Sequence, residues 1–134
     1  MRTKVAYLGP DPATFGYMAA ERHFQGQEVD FLPLKSHANI SLAVGRQEAG
    51  YGVVAIENYI DGAISETIRA LDKNARMLGV RICGEVIVPI EHFLLHQANG
   101  GIPKKVLSHP SALRQCIEKT IMSSQFRNVR FSPI

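Results

Sequence analysis

The chain has 134 residues, 46% hydrophobic, 20% charged and 7% aromatic, a balance that fits one globular domain and excludes disordered, collagen-like and coiled-coil chains. No apolar run approaches the roughly 20 residues that span a bilayer, and the opening MRTKVAYLGP lacks the apolar stretch of a secretory signal, so a cytoplasmic chain with no membrane partner is expected. Net charge is +3, carried unevenly as nine basic and eleven acidic residues through Glu91 and six basic against one acidic from His92 onward; with no basic stripe interleaved by aromatics, this points away from nucleic acid and toward a small anionic ligand.

Along the chain, apolar periodicity alternates between short β-like runs and helix-length segments. Lys4 to Leu8 reads as a first strand. In the GPDPATFGYMAA that follows, Gly9, Pro10 and Pro12 enforce a sharp turn, and Thr14 stands at the head of a helix over Thr14 to Phe24. A strand over Glu28 to Leu32, a helix over His37 to Glu48 and a strand over Tyr51 to Ile56 come next. That third strand runs into Glu57, Asn58, Asp61 and Gly62 before a helix over Ala63 to Asp72. Ile82 to Leu95 is too long for an ordinary strand and carries Pro89 in its middle; proline is confined to edges, bulges or crossings, so the chain is expected to leave one sheet for another there. A strand over Lys105 to Ser108, a helix over Ser111 to Met122 started by Pro110, and a strand over Val129 to Phe131 complete the pattern. The pattern predicts an α/β fold with an open, mainly parallel sheet in two lobes flanking a cleft. Residues 1–84 would form the first lobe, and residues 85–134 the crossing segment and an incomplete second lobe.

Open α/β sheets bind ligands at the carboxyl edge of the strands, and three helix starts there are potential anion sites. At the first, Thr14 suits a carboxylate and suits a plain N-cap equally well. At the second, a carboxylate on Glu57 buried at a strand end would keep its proton and act as an acid while the Asn58 amide fixes the substrate; from residue type alone a structural turn is favoured over that role. At the third, Ser108 and His109 could donate to an anion or simply cap a helix, and Gln115 one turn on could reach the cleft or lie exposed. Cys83 and Cys116 lie in apolar segments with neither metal nor CxxC spacing and are expected as buried thiols. His23, His37, His92 and His96 lack ligand spacing, so no metal is expected. No GxSxG, GxGxxG or Walker pattern is present, so hydrolase and nucleotide-binding readings lack their parts and no cofactor is expected.

Four stretches in order resemble the prephenate dehydratase family: VAYLGP with TFGYMAA, YGVVAIENYIDGAISET, GEVIVPIEHFLL, and VLSHPSALRQC. The resemblance runs from Lys4 to the last residue. It implies a lyase of phenylalanine biosynthesis that converts prephenate to phenylpyruvate, without cofactor, on a fold like a type II periplasmic binding protein. It also implies Glu57 and Asn58 as catalytic residues, and Thr14, Phe15, Ser108, His109 and Gln115 as substrate-binding residues. In the first turn, DPA adds one residue and puts Ala13 where the family has glycine; Ala55 replaces a common proline and Tyr59 a common serine. The family's Thr-Arg-Phe motif and its phenylalanine-sensing ACT domain lie beyond the stretches that match. The expectation is therefore the amino-terminal part of a catalytic domain, self-associating and of low activity alone, acting on prephenate or arogenate. The alternative is a non-catalytic module that binds or senses a small carboxylate on the same fold.

Overall fold

A computed structural model describes residues 1–10, 12–101, 103–121 and 130–133. Asp11 of the first turn, Met122 at the end of the last expected helix and Val129 at the start of the last expected strand lie outside them. The chain divides into two units, Met1–Pro89 and Ile90–Ile134.

In the first unit, β1 (Thr3–Leu8), β2 (Val29–Leu34) and β3 (Tyr51–Gly52) form a parallel sheet in the order β2-β1-β3. Val5 aligns with Phe31 on one side and Tyr51 on the other. The period-two alternation of β1 sorts its side chains onto two buried faces, as a parallel sheet covered on both sides requires. Val5 and Tyr7 pack with Ala20 and Phe24 of the α1 (Phe15–His23) region, joined by Tyr17, Val29, Phe31 and Val53. Ala6 packs with Ile40 of α2 (His37–Gly45) and with Ala49, joined by Leu8, Leu32, Leu34, Val44 and Val54. On the first face, Tyr7, Tyr17 and Phe31 meet edge to face with ring centroids 5.1 to 6.3 Å apart, the arrangement their quadrupoles favour. Pro33 sits in β2, which pairs only with β1 among the described strands, the edge position open to a residue without an N–H.

The α/β fold and parallel sheet agree with the expected pattern, while several boundaries differ for physical reasons. Ser36 caps α2, its Oγ accepting from Asn39 N at 3.1 Å. That helix stops at Gly45 rather than Glu48, because Arg46, Gln47, Glu48 and Ala49 turn their amides back onto the carbonyls of Leu42, Val44 and Ala43, with Gln47 at φ 61°. β3 ends after Gly52; one further bond, Val53 N to Ala6 O at 2.8 Å, continues its pairing. The chain then forms an antiparallel hairpin of β4 (Glu57–Asn58) and β5 (Gly62–Ala63), which the periodicity did not suggest. α3 (Ser65–Leu78) runs well past Asp72 and closes on Gly79 at φ 69°, the left-handed cap glycine provides. Packing supports the added turns: Asn74 Nδ2 donates to Ser41 Oγ at 2.9 Å, and Leu78 lies so close to Gly45 that a Cβ there would stand 2.5 Å from Leu78 Cδ1.

Ile82 to Leu95, expected as a long extended stretch crossing from one sheet to another, forms neither strand nor helix. No described strand pairs with it. Its first part is held by side chains of α1 instead: Arg22 Nη1 donates to Ile87 O at 3.0 Å, and Gly84 lies against the His23 ring. Cys83, in this segment, is exposed and Cys116 is half-buried, correcting the expectation of two buried thiols, and neither forms a disulfide with a described residue.

In the second unit, β6 (Lys105–Ser108) pairs in parallel with β7 (Arg130–Pro133), and α4 (Pro110–Ile121) follows β6 directly. Among the described residues, no helix is long and apolar enough to cross a membrane.

Candidate functional site

The turn from β1 to α1 and the segment beyond β3 leave neighbouring parallel strands at the same, carboxyl, edge of the sheet. In the order β2-β1-β3 the chain passes from β1 outward to β2 and then back across to β3, so the crevice between β1 and β3 is the topological switch point where such sheets hold ligands. Thr14 stands after the first of these strands and Glu57 with Asn58 after the other.

Thr14 is the N-cap of α1: its Oγ1 accepts from Tyr17 N at 3.2 Å while donating to Leu8 O at 2.8 Å. Its hydroxyl proton is thus committed to the end of β1, and what the turn presents to an anion is the positive head of α1 rather than that proton. Gly16 makes the fit possible, since a Cβ there would stand 3.3 Å from Leu8 N and O. Phe15 beside it is 42% exposed, an aromatic face on the same edge.

Asn58 Oδ1 accepts from Ile60 N at 2.9 Å and Asp61 N at 3.4 Å, a local turn that fixes the hairpin tip. Its oxygen is thereby occupied, and Nδ2 takes no part in those two bonds. Glu57 is exposed, which corrects the expectation of a buried carboxylate: the hairpin places it on the surface of the unit. Gly62, at φ 76°, supplies the left-handed residue of the tip. Tyr59 projects fully into solvent, with Ile60 largely exposed beside it.

In the second unit Ser108 ends β6 and is half-buried, and His109 precedes α4. His109 Nδ1 accepts from Ser111 N at 3.2 Å, capping the helix and leaving its ring proton on Nε2 as a donor. Gln115 Oε1 meets His92 Nε2 at 2.9 Å. That pair joins α4 to the segment containing His92 and was not apparent from spacing. Among the described residues, no group of three or more His, Cys, Asp or Glu could hold a metal ion.

Sequence reasoning assigned no role to three residues that shape the first unit. Thr67, 1% exposed in the first turn of α3, donates from Oγ1 to Ala55 O at 2.7 Å; the ISET stretch contained it, but nothing in its residue type revealed the partner. Asn74 bonds Ser41 across α2 and α3. His37 is 8% exposed, with no described hydrogen-bond partner for Nδ1. Burial lowers the affinity of its imidazole for a proton from the ordinary 6.5, opposed by the Glu66 carboxylate.

These features define an open parallel α/β protein with polar loops gathered at the carboxyl edge of its sheet. The chain belongs to the prephenate dehydratase family, whose model, described as "Prephenate dehydratase", matches residues 5–134. It is 37% identical over 129 residues to a bifunctional chorismate mutase/prephenate dehydratase of Aquifex aeolicus, covering 92% of this chain and 34% of that protein. It is 35% identical over 119 residues to arogenate dehydratase 2 of Petunia hybrida, covering 86% and 28% respectively. Its structure matches that of the prephenate dehydratase from Staphylococcus aureus with a TM-score of 0.75 at 27% identity, over 98% of this chain and 47% of that one. The chain thus spans about a third of the length of these curated relatives.

Proposed function

We propose that the chain is the amino-terminal part of a prephenate dehydratase catalytic domain, cytoplasmic and without a cofactor. On this reading residues 1–84 form the first lobe and residues 85–134 the crossing segment and part of the second, in a type II periplasmic-binding-protein-like arrangement. The observation that carries it is the switch point between β1 and β3, flanked by the Thr14 turn and the Glu57–Asn58 hairpin. The natural substrate on this reading is prephenate; arogenate is its nearest rival.

The reaction needs little covalent help. As the bond to one carboxylate breaks, its electron pair enters the ring, the ring C–O bond breaks, carbon dioxide leaves, and aromaticity drives the process. Protein groups must hold two carboxylates, orient the ring and give the departing hydroxide a proton so that it leaves as water. The head of α1, fixed by the Thr14 cap, holds one carboxylate, and the exposed Phe15 ring lies against the substrate ring. Glu57 supplies the proton and Asn58 Nδ2 orients the hydroxyl, its Oδ1 being occupied within the turn. Ser108, His109 through Nε2–H, and Gln115 complete the proposed substrate-binding set.

The test is phenylpyruvate formation, followed by absorbance in alkali. The 134-residue chain is expected to bind phenylpyruvate weakly and to turn prephenate over slowly or not at all. A chain extended to the length of its relatives should make phenylpyruvate, and Glu57→Gln and Asn58→Ala in it should each lower turnover about tenfold or more. A second reading, a non-catalytic carboxylate-binding or sensing module, draws on the exposure of Glu57. An extended chain that binds phenylpyruvate but never forms it would establish that reading instead.

A further inference from the structure

The Glu57–Asn58 dipeptide follows a strand that stops early. β3 pairs through Gly52, with one more bond at Val53, and the backbone from Val54 to Ile56 leaves the sheet before the hairpin begins. A backbone released from its ladder just ahead of a functional dipeptide would ordinarily be free to shift, and a misplacement of an ångström is enough to cost catalysis heavily. Two bonds restrain it here. Ile64 N donates to Ile56 O at 2.8 Å, closing the hairpin at its base. Thr67 Oγ1 donates to Ala55 O at 2.7 Å from a side chain 1% exposed, so the donor end of this bond is sheltered from competing water.

We propose that Thr67 is a positioning residue for the Glu57–Asn58 pair, setting the hairpin's exit angle by fixing the Ala55 carbonyl to the first turn of α3. α3 is itself anchored two turns on, where Asn74 bonds Ser41 of α2, so the position of Ala55 is referred to the helix layer behind the sheet. No side-chain cap holds the start of α3, and Thr67 adds a side-chain link between that helix and the strand end beside the backbone bond of its N-cap residue Ile64. The inference rests on the dehydratase reading only in naming what the hairpin carries. The link between Thr67 and the hairpin stands on geometry.

The test compares Thr67→Val, which keeps the shape and removes the hydroxyl, with Thr67→Ser, which restores it. Amide hydrogen exchange on the 134-residue chain should show Ile60, Asp61 and Ile64 exchanging about tenfold faster in Thr67→Val and near wild type in Thr67→Ser, with β1 and β2 amides unchanged in both. Phenylpyruvate titration, followed by the Glu57 and Asn58 amide signals, should weaken in parallel for Thr67→Val and recover in Thr67→Ser. In the wild type, the Thr67 hydroxyl proton should exchange slowly enough to be seen, which covers the outcome in which Thr67→Val does not fold. Hairpin exchange unaffected by Thr67→Val, failure of serine to rescue it, or a rapidly exchanging wild-type hydroxyl would each overturn the positioning role. A wild-type chain that ignores phenylpyruvate, with the exchange pattern as expected, would instead overturn the binding reading.

Discussion

At the scale of single residues, the polar side chains at the carboxyl edge already have structural partners, and that sets what each substitution does. Asn58→Ala removes the acceptor for two amides and should cost about 1 kcal/mol, with Ile60 and Asp61 losing exchange protection. Asn58→Asp keeps an acceptor oxygen and should retain the turn while losing the Nδ2 donor, so turn stability and substrate affinity should separate between the two variants. His37 carries a pH dependence. Its folded affinity for a proton is lowered from 6.5 chiefly by burial, with the Glu66 carboxylate opposing. The unfolded chain therefore takes up the proton first as pH falls. The contribution of His37 to stability is complete above about 6.5 and is lost as the pH drops through the lowered folded value. Urea midpoints should accordingly fall between pH 7.5 and pH 5.5, and His37→Phe should flatten that dependence. The amide-turn role of Asn58 was legible in residue type, whereas the surface placement of Glu57 was not, because it depends on a hairpin of two-residue strands that leaves no periodic trace.

At the scale of elements, legibility followed the source of each boundary. The start of α1 and the cores of β1 and β2 are set locally, by Thr14 as cap and by short apolar runs bounded by turn residues, and they could be read directly. The extra turns of α3 rest on Asn74 meeting Ser41 and Leu78 meeting Gly45, contacts between residues more than thirty apart that no local window contains. The stretch from Ile82 to Leu95 has strand-forming residues but no described strand to pair with, and pairing decides over propensity. The close approach of α2 to β3 gives a sharp test. A Cβ on Gly52 would lie 2.6 Å from Ile40 Cγ2 and 3.0 Å from Val44 Cγ2. Gly52→Ala should therefore destabilise by roughly 1–3 kcal/mol through overpacking, read as a lower urea midpoint with an unchanged slope.

At the scale of the molecule, apolar surface is concentrated where the chain is irregular. Ile82 and Ile87 of the first unit and Phe93 and Leu95 of the second are each more than two-thirds exposed. Exposed apolar runs of this kind drive association, and the chain is expected to self-associate at tens of micromolar, a range where such surfaces aggregate. Sedimentation velocity checks this: Ile87→Lys and Phe93→Lys should each shift the distribution toward monomer, and a wild-type chain that stays monomeric would exclude the assembly. The charge division, net negative through Glu91 and net positive beyond, adds an attraction between unlike parts of different copies. Raising salt should weaken that component while leaving the apolar one.

Pro33 determines how far any such assembly can spread along the sheet. Leu34 turns its carbonyl to Gly9 N on the β1 side at 2.9 Å, so by alternation Pro33 faces the side of β2 that no described strand pairs with, where it has no hydrogen to give. A strand arriving from another molecule would find donors at Val29 and Phe31 and then a gap, a template shorter than a stable ladder needs. Copies of this protein can therefore cluster through side chains without zipping backbone to backbone along β2, which favours oligomers that redissolve over fibres that do not.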